Sequence, residues 1–185
     1  ELLSALEQVA ALTPGPVGEE ARDLARRFTD AEDSVVRYSQ LSFGFDDGDW
    51  LLDTEFTRID TSDAIIPTGI AGFISAGHRF ENITPYATYS RFFTEQSLYA
   101  SDVDWSASGF QLLRDSAIAT LNGVLIEQHT YTLGLRWDFA PKMAFKAQWD
   151  NTHIEEGKFA LWAHSNDRAL EDTSVNVFSF ALNFV

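Results

Sequence analysis

Residues 175–185 read Val-Asn-Val-Phe-Ser-Phe-Ala-Leu-Asn-Phe-Val, and their two-residue period constrains the fold more than any other feature of the chain. Phe178, Phe180, Leu182 and Phe184 fall on one side; Val177, Ser179, Ala181 and Asn183 fall on the other. A strand sends successive side chains to opposite faces, so this run is a strand with one bulky apolar face and one small or mixed face. The pattern recurs upstream. Leu41, Phe43 and Phe45 alternate with Gln40, Ser42 and Gly44, and Trp50, Leu52, Thr54 and Phe56 alternate with Leu51, Asp53, Glu55 and Thr57. Ile74, Ala76, His78 and Phe80 oppose Phe73, Ser75, Gly77 and Arg79. Tyr131, Leu133, Leu135, Trp137 and Phe139 oppose Thr130, Thr132, Gly134, Arg136 and Asp138. Met143, Phe145, Ala147 and Trp149 oppose Ala144, Lys146, Gln148 and Asp150.

With a further strand over Ile83 to Glu95, seven strands emerge. Asp46 to Asp49, Glu81-Asn82 and Ala140-Pro141 make short turns, the first because Asp-Gly tolerates the positive φ of a tight hairpin. Thr61 to Gly69, Gln96 to Ile126 and His153 to Thr173 make long connections. Short and long connections alternate strictly, so the short ones gather at one end of the sheet and the long ones at the other. Outer-membrane barrels show this asymmetry; a soluble sandwich has no reason for it. Helical spacing appears outside the strands, at Leu2, Leu6, Val9 and Leu12, at Val17, Ala21, Leu24, Ala25 and Phe28, and over Phe110 to Thr120. Pro14-Gly15-Pro16 separates the first two helices, which form a long loop with helices of its own or a pair that binds a partner.

The aromatic share of 14% would suggest a greasy chain, yet the mean hydropathy is only -0.14. Strict alternation produces that combination. The apolar runs all fall short of the ~18 residues that a membrane helix needs. At 185 residues the chain is long enough for one domain with a sizeable core. The net charge of -15 argues against nucleic acid as a partner. Cysteine is absent, so thiol and disulfide chemistry are excluded.

The face opposite the aromatics carries Asp53, Glu55, Arg79, Arg136, Asp138, Lys146, Gln148 and Asp150, charges of both signs in the middle of neighbouring strands. A water-filled lumen solvates such a face. Opposed charges across it would set up a transverse field that filters solutes by size and charge. Arg91 shares the apolar face and would cost ~2–4 kcal/mol at mid-bilayer, which predicts that it lies at the rim or that the register shifts. His78 and His129 read as members of interface belts beside Phe80 and Tyr131. No His-x-x-x-His, Gly-x-Ser-x-Gly or phosphate-loop pattern occurs, and the loop carboxylates Asp102, Asp104, Glu155, Glu156, Asp167, Glu171 and Asp172 lack calcium-loop spacing. The chain therefore reads as a non-enzyme without cofactor or metal.

The stretch Leu133 to Asp150 resembles the penultimate hairpin of proteobacterial porin-like outer-membrane barrels. Ser75 to Phe80 with Ile83 to Tyr86 resembles an earlier hairpin of that group, and the final strand resembles its C-terminal strand. The resemblance covers about residues 35–185. It implies a barrel in the bacterial outer membrane, monomeric or trimeric, that passes small solutes. Such barrels commonly end in an aromatic, whereas Val185 falls on the lumen parity, so one further aromatic residue is expected. Seven strands is odd, so upstream strands, a homo-oligomer or a partner chain must complete the barrel. The chain opens inside a helix-like run, which predicts a fragment or a processed piece.

The expectation is an all-β fold: an antiparallel up-and-down transmembrane β-barrel, seven strands of a larger one, with helical segments in its long loops. Residues 1–33 form a helical segment and residues 34–185 the C-terminal part of the barrel. The function expected is a porin-like channel for passive diffusion of small hydrophilic solutes or ions. The alternatives are a soluble β-barrel or sandwich binding module and a non-conducting structural outer-membrane barrel.

Overall fold

The computed structural model describes residues 1–29, 35–61, 66, 68–156, 158 and 173–184. Val185 and the carboxylates Asp167, Glu171 and Asp172 lie outside the described residues. Helices α1 (Leu2–Leu12) and α2 (Pro16–Thr29) come first. Strands β1 (Val36–Asp46), β2 (Trp50–Thr61), β3 (Gly69–His78) and β4 (Ile83–Thr94) follow. Helix α3 (Gln111–Asn122) then precedes β5 (Glu127–Ala140), β6 (Met143–Ile154) and β7 (Thr173–Phe184).

The seven strands form one sheet in sequence order, every neighbouring pair antiparallel. The sheet is open: β1 and β7 are its edges among the described residues. The short turns are as tight as the spacing predicts, with one shift. The last of them is Pro141-Lys142, because Ala140 still pairs with Met143. Glu81 and Lys142 hold φ of 54° and 65°, and Gly48 holds 100° in the first turn. Asp46 and Asp47 carboxylates accept backbone N–H bonds from Gly48, Asp49 and Trp50, so that turn is fastened by its own side chains.

The register aligns every apolar face named from the sequence on one side of the sheet. One row across all seven strands reads Phe45, Leu52, Ala76, Ala87, Leu133, Trp149 and Phe178. Among the described residues no second layer covers this side: Leu133 is 55% exposed, Trp137 44% and Phe180 71%. On the opposite side Thr57, Thr84, Thr132 and Thr152 are buried. The polar face is thus the more closely packed one, and the apolar face is the outer, uncovered one among the described residues.

The buried core of the molecule lies elsewhere. Leu6 and Val9 of α1, Ala21, Leu24, Ala25 and Phe28 of α2, and Ala117 and Leu121 of α3 close around Trp105. The first two helices can approach because Gly15 takes a φ of 81° and because Gly18 has no side chain; a Cβ there would collide with the Thr13 carbonyl oxygen. Pro16 starts α2 at the position where its fixed φ suits a helix, and Arg26 and Arg27 close it against the dipole. The helical pair therefore packs on the β4–β5 connection. That connection and the entry into β1 both lie at the long-connection end of the sheet, so this helical cap belongs to that end.

Candidate functional site

The polar face is built from rows set by the register. One row near the short turns contains Thr84, Arg136, Lys146 and Ala181. The next contains Leu51, Gly77, Tyr86, Gly134, Gln148 and Ser179. The third runs Gly44, Asp53, Ser75, Thr88, Thr132, Asp150 and Val177. Glu55, Phe73, Ser90, Thr130 and Thr152 make the fourth.

Arg136 and Lys146 face each other directly, a like-charge pair that costs energy unless anions are near. Asp138 supplies one, receiving the Arg136 guanidinium at 3.0 Å through Nε. Asp138 sits where the β5–β6 register becomes irregular, and its N–H bonds the Asn82 carbonyl in the neighbouring turn. Arg79 lies beyond the end of β3. Its guanidinium grips both oxygens of Asp46, at 2.6 and 2.8 Å, and the Gly48 carbonyl at 3.0 Å. The carboxylate of Asp46 holds the Arg79 guanidinium still further in its charged form. Arg79 and Asp138 are therefore rim residues at the short-turn end, where alternation alone put them in mid-strand.

The third row is an array of hydroxyls flanked by carboxylates. Ser75 Oγ and Thr88 Oγ1 are 2.7 Å apart, and Thr132 Oγ1 donates to Asp150. Gln148 gives its amide to both Asp150 oxygens at 2.9 Å. Glu55 accepts from Gln40 Nε2 at 2.7 Å. The structure thus brings Asp150 and Gln148 into one network and places Asp53 on the same row as Asp150, while Arg136 and Lys146 stand two rows away. Asp53 and Asp150 share one row of the polar face, and Arg136 and Lys146 share another nearer the short turns, where Asp46 and Asp138 pair with Arg79 and Arg136.

Tyr86 completes the site and was not singled out by sequence. Its ring lies over Gly134, and its hydroxyl donates to Gln148 Oε1 at 2.7 Å, two strands away. A Cβ at Gly134 would collide with that ring. The signal was a glycine opposite a tyrosine, visible only once the β4–β5 register is known.

The chain matches no known protein family, no curated protein and no solved structure.

What remains is chemistry. The polar face offers fixed carboxylates, hydroxyls and amides that can replace part of a solute's hydration, beside a rim where Arg79 and Arg136 are paired with Asp46 and Asp138. The apolar face has its own polar end. Arg58 makes a two-pronged pair with Glu95 at 2.8 and 2.9 Å, and Arg91 pairs with Glu127 at 2.8 Å. His129 stands between Tyr131 and His153, at ring separations of 5.7 and 4.9 Å. All of these lie toward the long connections. His78, by contrast, is wedged near the short turns between Trp50 and Phe80, at 4.5 and 4.3 Å.

Proposed function

We propose that the apolar face meets lipid and that this sheet is part of an outer-membrane barrel, porin-like, through which small hydrophilic solutes diffuse. The observation that carries the reading is the slant of the apolar band. The Phe45 row closes the band on β1 and opens it on β7, where it arrives at Phe178. Phe43, the middle of the β1 run, connects across the sheet to Asn176, five residues short of the middle of Phe178–Phe184. Five residues over six pairings, at ~3.4 Å per residue and ~4.8 Å per strand, is a tilt of about 30°. Barrel strands tilt by ~35–45°, and a flat slab of hydrocarbon cuts tilted strands along such a diagonal. The β7 run is about 20 Å long, close to the ~25 Å apolar belt of outer-membrane barrels. Trp149, Tyr89 and Tyr131 border the band on its polar side, where amphipathic rings favour the interface.

Closure needs more strands. Seven alternating strands leave β1 and β7 running the same way, so joining them directly would create a parallel pair. An all-antiparallel barrel takes an odd number of further strands, from a longer chain or a partner chain.

The test is a planar bilayer. Conductance steps are expected, and replacing Arg136 and Lys146 by neutral residues shifts the reversal potential toward cations. An unchanged reversal potential removes both from the pore. Insertion without conductance favours a structural barrel, and folding without any amphiphile defeats the membrane reading.

A further inference from the structure

At the polar end of the outer face, Ser174 of β7 and His153 of β6 are directly paired, with Ser174 Oγ 3.2 Å from His153 Nδ1. A hydroxyl within hydrogen-bond reach of an imidazole is the minimal activated nucleophile. We propose that this pair cleaves the carboxylic ester of a membrane lipid, an activity beyond solute diffusion that rests on the apolar face meeting lipid. Three neighbours support it.

The first is a donor. Asn176 follows Ser174 on the same face, and its Oδ1 accepts from Trp149 Nε1 and from Asn151 Nδ2, both at 3.0 Å. Two converging donors fix which end of the amide is oxygen, so Nδ2 keeps its hydrogens and has no acceptor among the described residues. A held N–H donor beside a nucleophile is what a developing oxyanion requires. The second is charge. The His129 ring lies 4.9 Å from that of His153, and the Glu155 carboxylate lies 3.9 Å from His129 Nδ1. The two rings and the carboxylate thus form a row leading away from Ser174. The third is an apolar seat. Below Asn176 a shallow hollow is walled by Leu133, Leu135, Ala147, Trp149, Phe178 and Phe180, an apolar surface on which an acyl chain can lie. The Trp149 hydrogen bond ties the polar site to that hollow.

The steps balance without any cofactor. Ser174 Oγ attacks the ester carbonyl carbon while its proton passes to His153 Nδ1. The tetrahedral oxygen turns to Asn176 Nδ2. The C–O bond breaks, and His153 returns the proton to the departing alcohol. Water, giving its proton to His153, then attacks the acyl-serine and releases the carboxylic acid, restoring Ser174.

The experiment treats the full chain, folded in mixed micelles of detergent and dioleoylphosphatidylglycerol, with an alkyl fluorophosphonate, and locates the label by peptide mass. Label at Ser174 and release of oleic acid are expected. His153→Gln should slow both by about 100-fold or more. Asn176→Ala should slow oleic acid release by roughly 100-fold. Ser116→Ala, on α3, should change neither. Heat-resistant migration in gels reports insertion separately. An inserted chain that carries no label at Ser174, or whose labelling ignores His153→Gln, overturns the pair while the barrel reading stands. A chain that never enters micelles overturns the lipid substrate together with that reading.

Discussion

The helical cap and the sheet contain the same kinds of apolar side chain and treat them oppositely. In the cap, Leu6, Leu24 and Trp105 have no exposure at all. In the sheet, Leu41, Phe178 and Phe184 are more than two-thirds exposed. Both regions are amphipathic, so pattern alone does not separate them. What separates them is whether this chain supplies the partner. The helices find theirs in each other and in the β4–β5 connection; the strands find none among the described residues. An uncovered apolar band of this extent exceeds what a monomer ordinarily leaves to water, which favours the lipid contact proposed above. The cap is stabilised by burial at ~25 cal/mol per Å², whereas the sheet by itself is held by its ladders and awaits its environment.

The sharpest way to break this contrast is to empty the cap. Trp105 fills its centre, and its Nε1 donates at 2.8 Å to Glu20, which Arg114 also holds at 3.2 Å. Burial pushes the Tyr99 hydroxyl up, and Glu20 beside it pushes the same way. Trp105→Ala should cost the cap about 3–5 kcal/mol and expose α1 and α2 to protease. The heat-resistant β-signal by circular dichroism should persist. Loss of the sheet with the cap would mean that the two are one cooperative unit.

Next in size is a charge on the outer face. Leu133→Arg should destabilise protein refolded in lipid by about 2–4 kcal/mol, read by urea titration in vesicles. Ser179→Arg on the polar face should stay within ~0.5 kcal/mol. Equal effects would mean that the two faces see the same solvent. Smaller again is Gly134→Ala, which displaces the Tyr86 ring and breaks its bond to Gln148. A loss of ~1–3 kcal/mol is expected, with a measurable change in single-channel conductance.

How much of this was legible beforehand follows the range of the interactions. The strands, their faces and the short turns rest on period and on neighbours a few residues apart, and β1 to β7 match the sequence reading to within a residue or two at most ends. The helix expected over Phe110 to Thr120 runs Gln111–Asn122. The site was legible only as a face. Asp53, Glu55, Lys146, Gln148 and Asp150 share it as alternation requires, but the order of charges along it depends on register. The Arg79–Asp46 clasp depends on how one turn meets the next strand's end. The Trp105–Glu20 bond joins residues 85 positions apart, and Ser174–His153 spans a long connection; no local spacing encodes either.

The smallest expected effect tests the boundary between the two regions. Arg58 on β2 and Glu95 just past β4 form a two-pronged pair where the outer face meets the long connections, beside the Glu95 N–H bond to the Thr68 carbonyl. The hydrogen bonds from Arg58 hold the Glu95 carboxyl below its ordinary value of 4.5. A depressed folded-state value means that unfolding takes up protons as the pH falls. The pair's contribution is therefore complete above about pH 4.5 and disappears as the pH drops through the lowered folded value. Both side chains are exposed, so screening keeps the effect small. Amide exchange at Glu95 should accelerate in that acid window and nowhere higher, and Glu95→Gln should remove the pH dependence. Acceleration near neutral pH would assign control of this boundary to a different group.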